Sequence, residues 1–349
     1  MVSVSDFNRF VFIVGAPRCG TTTLAQFLKA HPAVSFPVVK EPHFFSQNDL
    51  RGLGDDELRS RVEREYLRRF FISRPGRRTA ADASVTYLYT PEQLEPILRL
   101  WPDSRFVIAV RDPLTMLPSL HRRLIYLGDE TIPSFEQAWA AVPDRAEGRR
   151  IPRRCADPRW LRYDQAGRLA THLERLFAVV GRDRCMVHLF DDLATDPAAS
   201  YRQLMEFVGV PPQSRTDFSI CRPSKKVRFR WLQRALKRPP VAVREYFAGE
   251  QFRQRICDLD NRDRRKAPGT ILSIRKRLLE WNRVTAPPEP LSPALQAQIR
   301  REFEGEVDRL GQLLGRDLGH WLQRRCEMPV EQTANEMPLT ERRREAFSL

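Results

Sequence analysis

Gly15-Ala16-Pro17-Arg18-Cys19-Gly20-Thr21-Thr22-Thr23 brings together two glycines five apart, one cation and three consecutive hydroxyls, the groups needed to enclose an anion. It follows the apolar run Phe10 to Val14 and leads into a helical pattern, Thr21 to Ala30, with Leu24, Phe27 and Leu28 on one face. A strand, a turn and a helix start in this order aim backbone N–H groups at a negatively charged ligand. In the version of such a loop that serves nucleotide hydrolysis, Lys follows the second glycine; here Thr21 stands there and the cation is Arg18, inside the turn. The expected ligand is therefore a phosphate whose terminal group is not a γ-phosphate. Glycines at this spacing also suit an ordinary strand-to-helix turn capped by Thr21 or Thr22, and the preceding strand and the three hydroxyls favour the anion site. Cys19, at a helix N-terminus beside Arg18, is expected to favour its thiolate and to accept alkylating agents.

Arg105-Phe106-Val107-Ile108-Ala109-Val110-Arg111-Asp112-Pro113 is a second apolar strand ending in chemistry. A phosphate-loop nucleotide hydrolase ends such a strand in Asp, which holds Mg²⁺. Ending it in Arg111 puts a permanent cation at the carboxyl edge of a parallel sheet, which argues for a second phosphate and against a metal. Asp112 reads as a turn or helix cap, and Pro118 as a first helical position that would set Ser119 in the first turn, facing an anion. Ser119 as a plain helix-start residue remains equally open.

The elements that must position these groups read as Phe10 to Val14, Thr79 to Ala83, Arg105 to Val110 and Cys185 to Phe190 for strands, alternating with helical patterns such as Pro91 to Leu100 and Ala166 to Val180. That rhythm predicts an α/β fold, a P-loop-type parallel sheet flanked by helices. Arg145 to Arg154 reads as a basic loop, Thr285 to Pro293 as a stiff proline-rich linker, and Pro293 to Leu314 as a terminal helix. Arg222 to Arg244 holds nine basic residues and no acidic one, with Val227, Trp231, Ala235 and Leu236 on roughly one helical face. Three roles stay open for this segment: a lid over a phosphate, a patch for an anionic membrane or polyanionic acceptor, or a solvated surface.

The loop at Gly15 to Thr23 resembles the 5′-phosphosulfate loop, and Arg111 followed by Ser119 resembles the 3′-phosphate site, of sulfotransferases that use 3′-phosphoadenosine 5′-phosphosulfate (PAPS). His31-Pro32 and Lys40-Glu41-Pro42-His43-Phe44-Phe45 are similar to the segment that carries the catalytic glutamate in glycosaminoglycan sulfotransferases and their bacterial relatives. Asp82 to Tyr87 resembles the next acceptor-side stretch, with Ala83 where several relatives carry Lys. Phe190 to Leu193, Asp196-Pro197, Phe207 to Val210, and Leu313 to Leu318 with Trp321 are similar to later landmarks of the bacterial branch, so the resemblance runs in order through most of the chain. It implies the sulfotransferase fold, PAPS as donor and no metal. It further implies Arg18, Cys19, Gly20, Thr21, Thr22 and Thr23 around the phosphosulfate, Arg111 and Ser119 at the 3′-phosphate, and Ser224 with Lys225 in the late loop that covers the donor. Glu41 becomes the catalytic base, its pKa free to rise if Pro42, Phe44 and Phe45 exclude water, with His43 as second base or orienter and Arg18 stabilising the departing phosphate. The implied acceptor is a carbohydrate or glycolipid hydroxyl, for which Tyr87, Tyr89, Tyr126 and Trp160 are platform candidates.

A chain of 349 residues with 42% hydrophobic content can bury a large core, and we expect one domain over 1–326, with a basic helical insertion at about 222–285, the linker 285–293 and a tail 327–349. A net charge of +15 suits a polyanionic ligand, substrate or surface. Six cysteines without close pairing or metal spacing suggest reduced thiols in a cytoplasmic protein, possible at the inner face of a membrane, and neither a signal-peptide core nor a bilayer-spanning run is expected. Nucleic acid is not expected as a partner, since no recognised binding module accompanies the basic patch. Two other functions remain open on the residues alone: a small-molecule kinase on the same scaffold, or a non-enzymatic module that docks on polyanions.

Overall fold

The computed structural model describes residues 2–72, 76–214, 218, 225–239, 270–285 and 289–323. Five strands, β1 (Arg9–Gly15), β2 (Val34–Ser35), β3 (Thr79–Asp82), β4 (Arg105–Val110) and β5 (Cys185–Leu189), form one sheet in the order β2-β3-β1-β4-β5, with every pairing parallel. Nearly every residue of β1, β3 and β4 is buried, as expected for strands covered by helices on both faces. Two-residue β2 is too short to leave a periodic signal.

The main helices are α1 (Thr21–Ala30), α2 (Glu95–Leu100), α3 (Pro113–Leu127), α4 (Leu169–Val180), α5 (Pro197–Val208), α6 (Arg230–Lys237), α7 (Thr270–Trp281) and α8 (Pro293–Leu314). Phe10 and Phe12, on one face of β1, stack at 4.7 Å, and Phe12 meets Phe106 at 5.7 Å while Phe10 meets Trp101 at 4.5 Å. Burying one such ring contributes about 1.5–3 kcal/mol, so this aromatic wall anchors the strand that leads into the Gly15–Thr23 loop.

Several sequence expectations change in detail. Pro91 to Leu100 is a 3₁₀ turn, Pro91–Leu94, followed by α2, and the Ala166 to Val180 pattern breaks at Gly167-Arg168 before α4. Arg145 lies not in a loop but in the short helix Val142–Ala146, where its guanidinium meets Glu130 at 2.8 Å with both side chains buried. Within the basic segment, Val227 belongs to a strand, β6 (Lys225–Val227), which pairs antiparallel with β7 (Arg283–Thr285), so among the described residues there only α6 is helical. Ser292 caps α8 at the end of the proline-rich stretch. The 327–349 tail lies outside the described residues, as do Ser224, Cys221, Cys257 and Cys326; Cys19, Cys155 and Cys185 are free thiols. No described helix is long and apolar enough to cross a membrane.

Candidate active site

The sheet order fixes where the site forms. The chain leaves central β1, places β2 and β3 on one side, then crosses to β4 and β5 on the other, so the carboxyl ends of β1 and β4 border the crevice where open α/β sheets bind ligands. A register shift between Ile13 and Gly15 loosens the end of β1, and the Ala16 N–H then donates to Ala109 O at 2.7 Å, tying the loop to β4. Arg18 and Gly20 both take positive φ, 67° and 92°. A Cβ on Gly20 would come within 2.6 Å of Leu193 Cδ2, so both the backbone and the space call for glycine there. Thr23 N–H is satisfied by Gly20 O, while the N–H groups of Thr21 and Thr22, in the first turn of α1, point back along the axis toward the loop.

Arg111 leaves the end of β4 and meets the loop. Its Nε donates to Thr115 Oγ1 at 2.9 Å and its Nη1 to Arg18 O at 3.2 Å, while the guanidinium lies 4.2 Å from the centre of the Phe190 ring. Arg18 in turn donates from Nε to Ser119 Oγ at 2.9 Å. The structure thus brings Arg18, Arg111 and Ser119 together, although the sequence separates Arg18 from Ser119 by 101 positions. Arg18 keeps solvent contact at the mouth of the crevice, yet desolvation pushes its pKa down to about 10, with Arg123, Arg111 and Arg122 adding repulsion. Such an accumulation of cations is relieved by a polyanion. Arg122 and Arg123 were not picked out from the sequence; their spacing of three and four from Ser119 on one helix was the available signal.

Two expectations are corrected here. Helix α3 begins at Pro113, with the Asp112 carboxylate accepting from Leu114 N–H at 2.8 Å, so Asp112 is the cap while Pro118 and Ser119 lie inside the helix rather than at its first turn. Ser119 reaches the loop through its side chain, not through a helix N-terminus. Cys19 is fully buried, and burial pushes its thiol up to about 12 against the lowering effect of Arg111 and Arg18, so it is no thiolate and only its backbone can contribute to an anion site.

The segment Lys40 to His43 is held from β3 by a chain of hydrogen bonds. Asp82, fully buried at the end of β3, accepts from Tyr66 and Tyr87 hydroxyls at 2.7 and 3.0 Å and from Ser84 Oγ at 2.7 Å. Ser84 Oγ accepts from the His43 N–H at 3.0 Å, and Thr86 Oγ1 lies 2.9 Å from His43 Nδ1 and 2.6 Å from Ser46 Oγ. Burial pushes Asp82 up to about 6 despite its three donors, and burial lowers His43, leaving the imidazole neutral near pH 7. Glu41 and His43 take φ of 64° and 56°, the left-handed region that non-glycine residues adopt only where their surroundings hold them. Phe44 and Phe45 turn into the core against Tyr66 and Phe12 instead of screening Glu41, whose carboxylate is about a quarter exposed and paired with Lys40 at 2.5 Å.

The two halves adjoin through Val85 to Leu88: a Cβ on Gly15 would stand 2.8 Å from Leu88 Cβ and 3.2 Å from Val85 O. Beside Thr86 opens a cavity of about 270 Å³ lined by Tyr89, Arg159, Trp160, Arg162 and Gln165. Tyr89 and Trp160 meet edge to face at 4.7 Å in its wall. Of the other platform candidates, Tyr87 is spent on Asp82 in the core and Tyr126 packs with Lys237 and Arg283, away from this cavity's lining. A second recess of about 430 Å³ lies between α3 and the ends of β6 and α8, with Arg122, Arg228 and Leu295 in its wall. Lys225 opens β6, paired with Thr285; Ser224 is outside the described residues.

Comparison with known proteins places this geometry in context. The family described as "Sulfotransferase domain" matches residues 8–237. Mouse heparan sulfate glucosamine 3-O-sulfotransferase 3B1 is 26% identical over 198 residues, 57% of this chain and 45% of the mouse protein. Human heparan sulfate glucosamine 3-O-sulfotransferase 6 is 25% identical over 210 residues, covering 57% and 51%. The chain spans about half the length of these curated relatives. A crystal structure of a sulfotransferase from Alicyclobacillus acidocaldarius superposes with a TM-score of 0.60 at 25% identity, covering 91% of this chain and 99% of the other.

Proposed function

This chain belongs to the sulfotransferase domain family, and from that premise we propose that it moves the sulfuryl group of PAPS to a hydroxyl of a carbohydrate or glycolipid acceptor without a metal. The observation that carries the reading is the junction of Arg18, Arg111 and Ser119 at the loop, with the Glu41–His43 segment anchored next door through Ser84 and Thr86. The residues fit the donor: arginines just beyond the ends of two strands suit two separate phosphates, and desolvation followed by repulsion from neighbouring cations already depresses Arg18. When bound, the donor supplies a sulfuryl group already activated on a phosphate.

The chain's own residues supply position and charge. Arg18, Thr21, Thr22 and the backbone of Cys19 to Thr23 hold the 5′-phosphosulfate, and Arg18 takes up negative charge on the departing phosphate. Arg111 and Ser119 grip the 3′-phosphate, with Ser224 and Lys225 completing that side. Glu41 accepts the acceptor's hydroxyl proton while His43, its Nδ1 and backbone N–H already engaged, orients the segment. The Tyr89–Trp160 cavity receives the acceptor ring; its arginines are neutralised locally by Asp157 and Asp164, which suits a weakly charged acceptor as well as an anionic one.

Calorimetric titration with adenosine 3′,5′-bisphosphate and with ATP, each with and without Mg²⁺, tests the reading. Tight, Mg²⁺-indifferent binding of the bisphosphate is expected. Mg²⁺-dependent ATP binding would favour the kinase alternative, and binding of neither would favour the polyanion module.

A further inference from the structure

Five large apolar side chains stand exposed among the described residues, Phe229, Trp231, Ile274, Leu278 and Trp281, and all belong to the small unit formed by β6, α6, α7 and β7. In α7, Ile274, Leu278 and Trp281 follow one another at i, i+4 and i+7, so one continuous stripe of that helix faces outward. Trp231 is 71% exposed near the start of α6, and Ala235, one turn on, shares its exposure. Phe229 joins the two helices: its ring stacks on Trp281 with centroids 5.7 Å apart and lies 6.5 Å from Trp231. The result is a patch, not scattered single residues.

The unit's interior holds polar side chains beside Leu279. Asn282 and Gln233 are fully buried; Asn282 Oδ1 accepts from Phe229 N–H at 2.8 Å, Asn282 Nδ2 donates to Phe229 O and Gln233 Oε1, and Gln233 Nε2 donates to Tyr126 O on α3 at 2.7 Å. Hydrogen bonds help hold the unit to the fold, and although Leu279 turns inward, the larger part of its bulky apolar surface faces out. Residues 225–239 and 270–285 carry eleven basic side chains against one acidic, Glu280. Arg228, Arg230, Lys276 and Arg277 are exposed beside the apolar stripe, with the Arg228 guanidinium 5.7 Å from the Trp281 ring centre.

We propose that this face docks on an anionic lipid bilayer. A free polyanion would engage the cations and leave Ile274 and Leu278 uncovered, and a second copy would bring two strongly basic surfaces together. A bilayer interface satisfies both kinds of group at once, with headgroup phosphates for arginine and lysine and the acyl boundary for tryptophan, phenylalanine and aliphatic side chains. The inference stands independently of the reaction proposed above.

Sedimentation of the full chain with vesicles tests it. With a phosphatidylcholine–phosphatidylglycerol mixture the protein should pellet, less so as salt is raised, and with phosphatidylcholine alone it should stay largely in solution. A Trp231→Glu/Ile274→Glu double variant should lose about tenfold or more in partition, while its melting temperature and its affinity for adenosine 3′,5′-bisphosphate stay at the wild-type values. Independently of any substitution, brominated lipid in the anionic vesicles should quench wild-type tryptophan emission. Wild-type protein that ignores anionic vesicles, a double variant that pellets like wild type, emission indifferent to brominated lipid, or a dimer that the double substitution splits would each overturn the proposal.

Discussion

At Arg18 the chain sets a cation where the protein's own arginines repel it. Partial desolvation and then Arg123, Arg111 and Arg122 push its pKa down to about 10, although the side chain keeps solvent contact, so the loop is at its least comfortable when no anion shares it. If Arg111 grips a 3′-phosphate, Arg111→Ala should weaken adenosine 3′,5′-bisphosphate binding by about 1.5–3 kcal/mol and leave adenosine 5′-phosphate binding nearly unchanged. Equal losses for the two nucleotides, read by titration calorimetry, would remove that assignment. Glu41→Gln should keep bisphosphate affinity while turnover falls by about 10²–10⁴-fold, the usual worth of a general base. Turnover within a few-fold of wild type would take Glu41 out of the chemistry. The turn after β1 and the place of Arg111 at the end of β4 were legible in the sequence because each ends an apolar run with a residue that chemistry can use. The Asp82–Ser84–His43 chain was not, because β3 brings its members together across 41 positions of sequence. Cys19 misled, since its neighbours along the chain suggested a thiolate while its neighbours in space bury it.

Among the elements, α4 depends on a glycine whose role is steric. A Cβ on Gly167 would stand 2.4 Å from Phe303 Cζ and 2.5 Å from Cε1, and Phe303 on α8 is itself wholly buried, so neither partner can yield. Gly167→Ala should therefore cost about 1–3 kcal/mol by overpacking, seen as a lowered melting temperature, and an unchanged melting temperature would show that the α4–α8 contact gives way. Helix α3 shows where reading proline as a boundary fails. Asp112 and Pro113 already supply a cap and a first helical residue, so Pro118 falls inside, where it forgoes one backbone hydrogen bond. Strand and helix identities followed from periodicity, whereas β2 and the β6–β7 pair did not, because two- and three-residue strands leave too few positions to define a period.

For the molecule as a whole, four desolvated histidines, the buried His121, His172 and His188 and the half-buried His43, set the response to acid. Desolvation lowers the pKa of His43, His121, His172 and His188 below 6.5, so below that pH the unfolded chain binds more protons than the folded one and stability falls as pH drops. Asp82 runs the other way: raised to about 6 from 3.8, it binds its proton first in the folded state and favours folding as pH falls through about 6 to 3.8. With four groups against one, the melting temperature should be lower at pH 5.5 than at pH 7.5, and Asp82→Asn should make that drop steeper by deleting the opposing group. A melting temperature independent of pH across this range would mean that these imidazoles titrate as if in water. The central position of β1 separates two anchorages. Its β4 flank carries Arg111, which meets the loop after β1, and its β3 flank carries Ser84 and Thr86, which hold His43, so the two groups of side chains are fixed by different neighbours of one strand. A substitution that loosens one of these anchorages therefore leaves the other standing, and damage on either flank of the middle strand stays local.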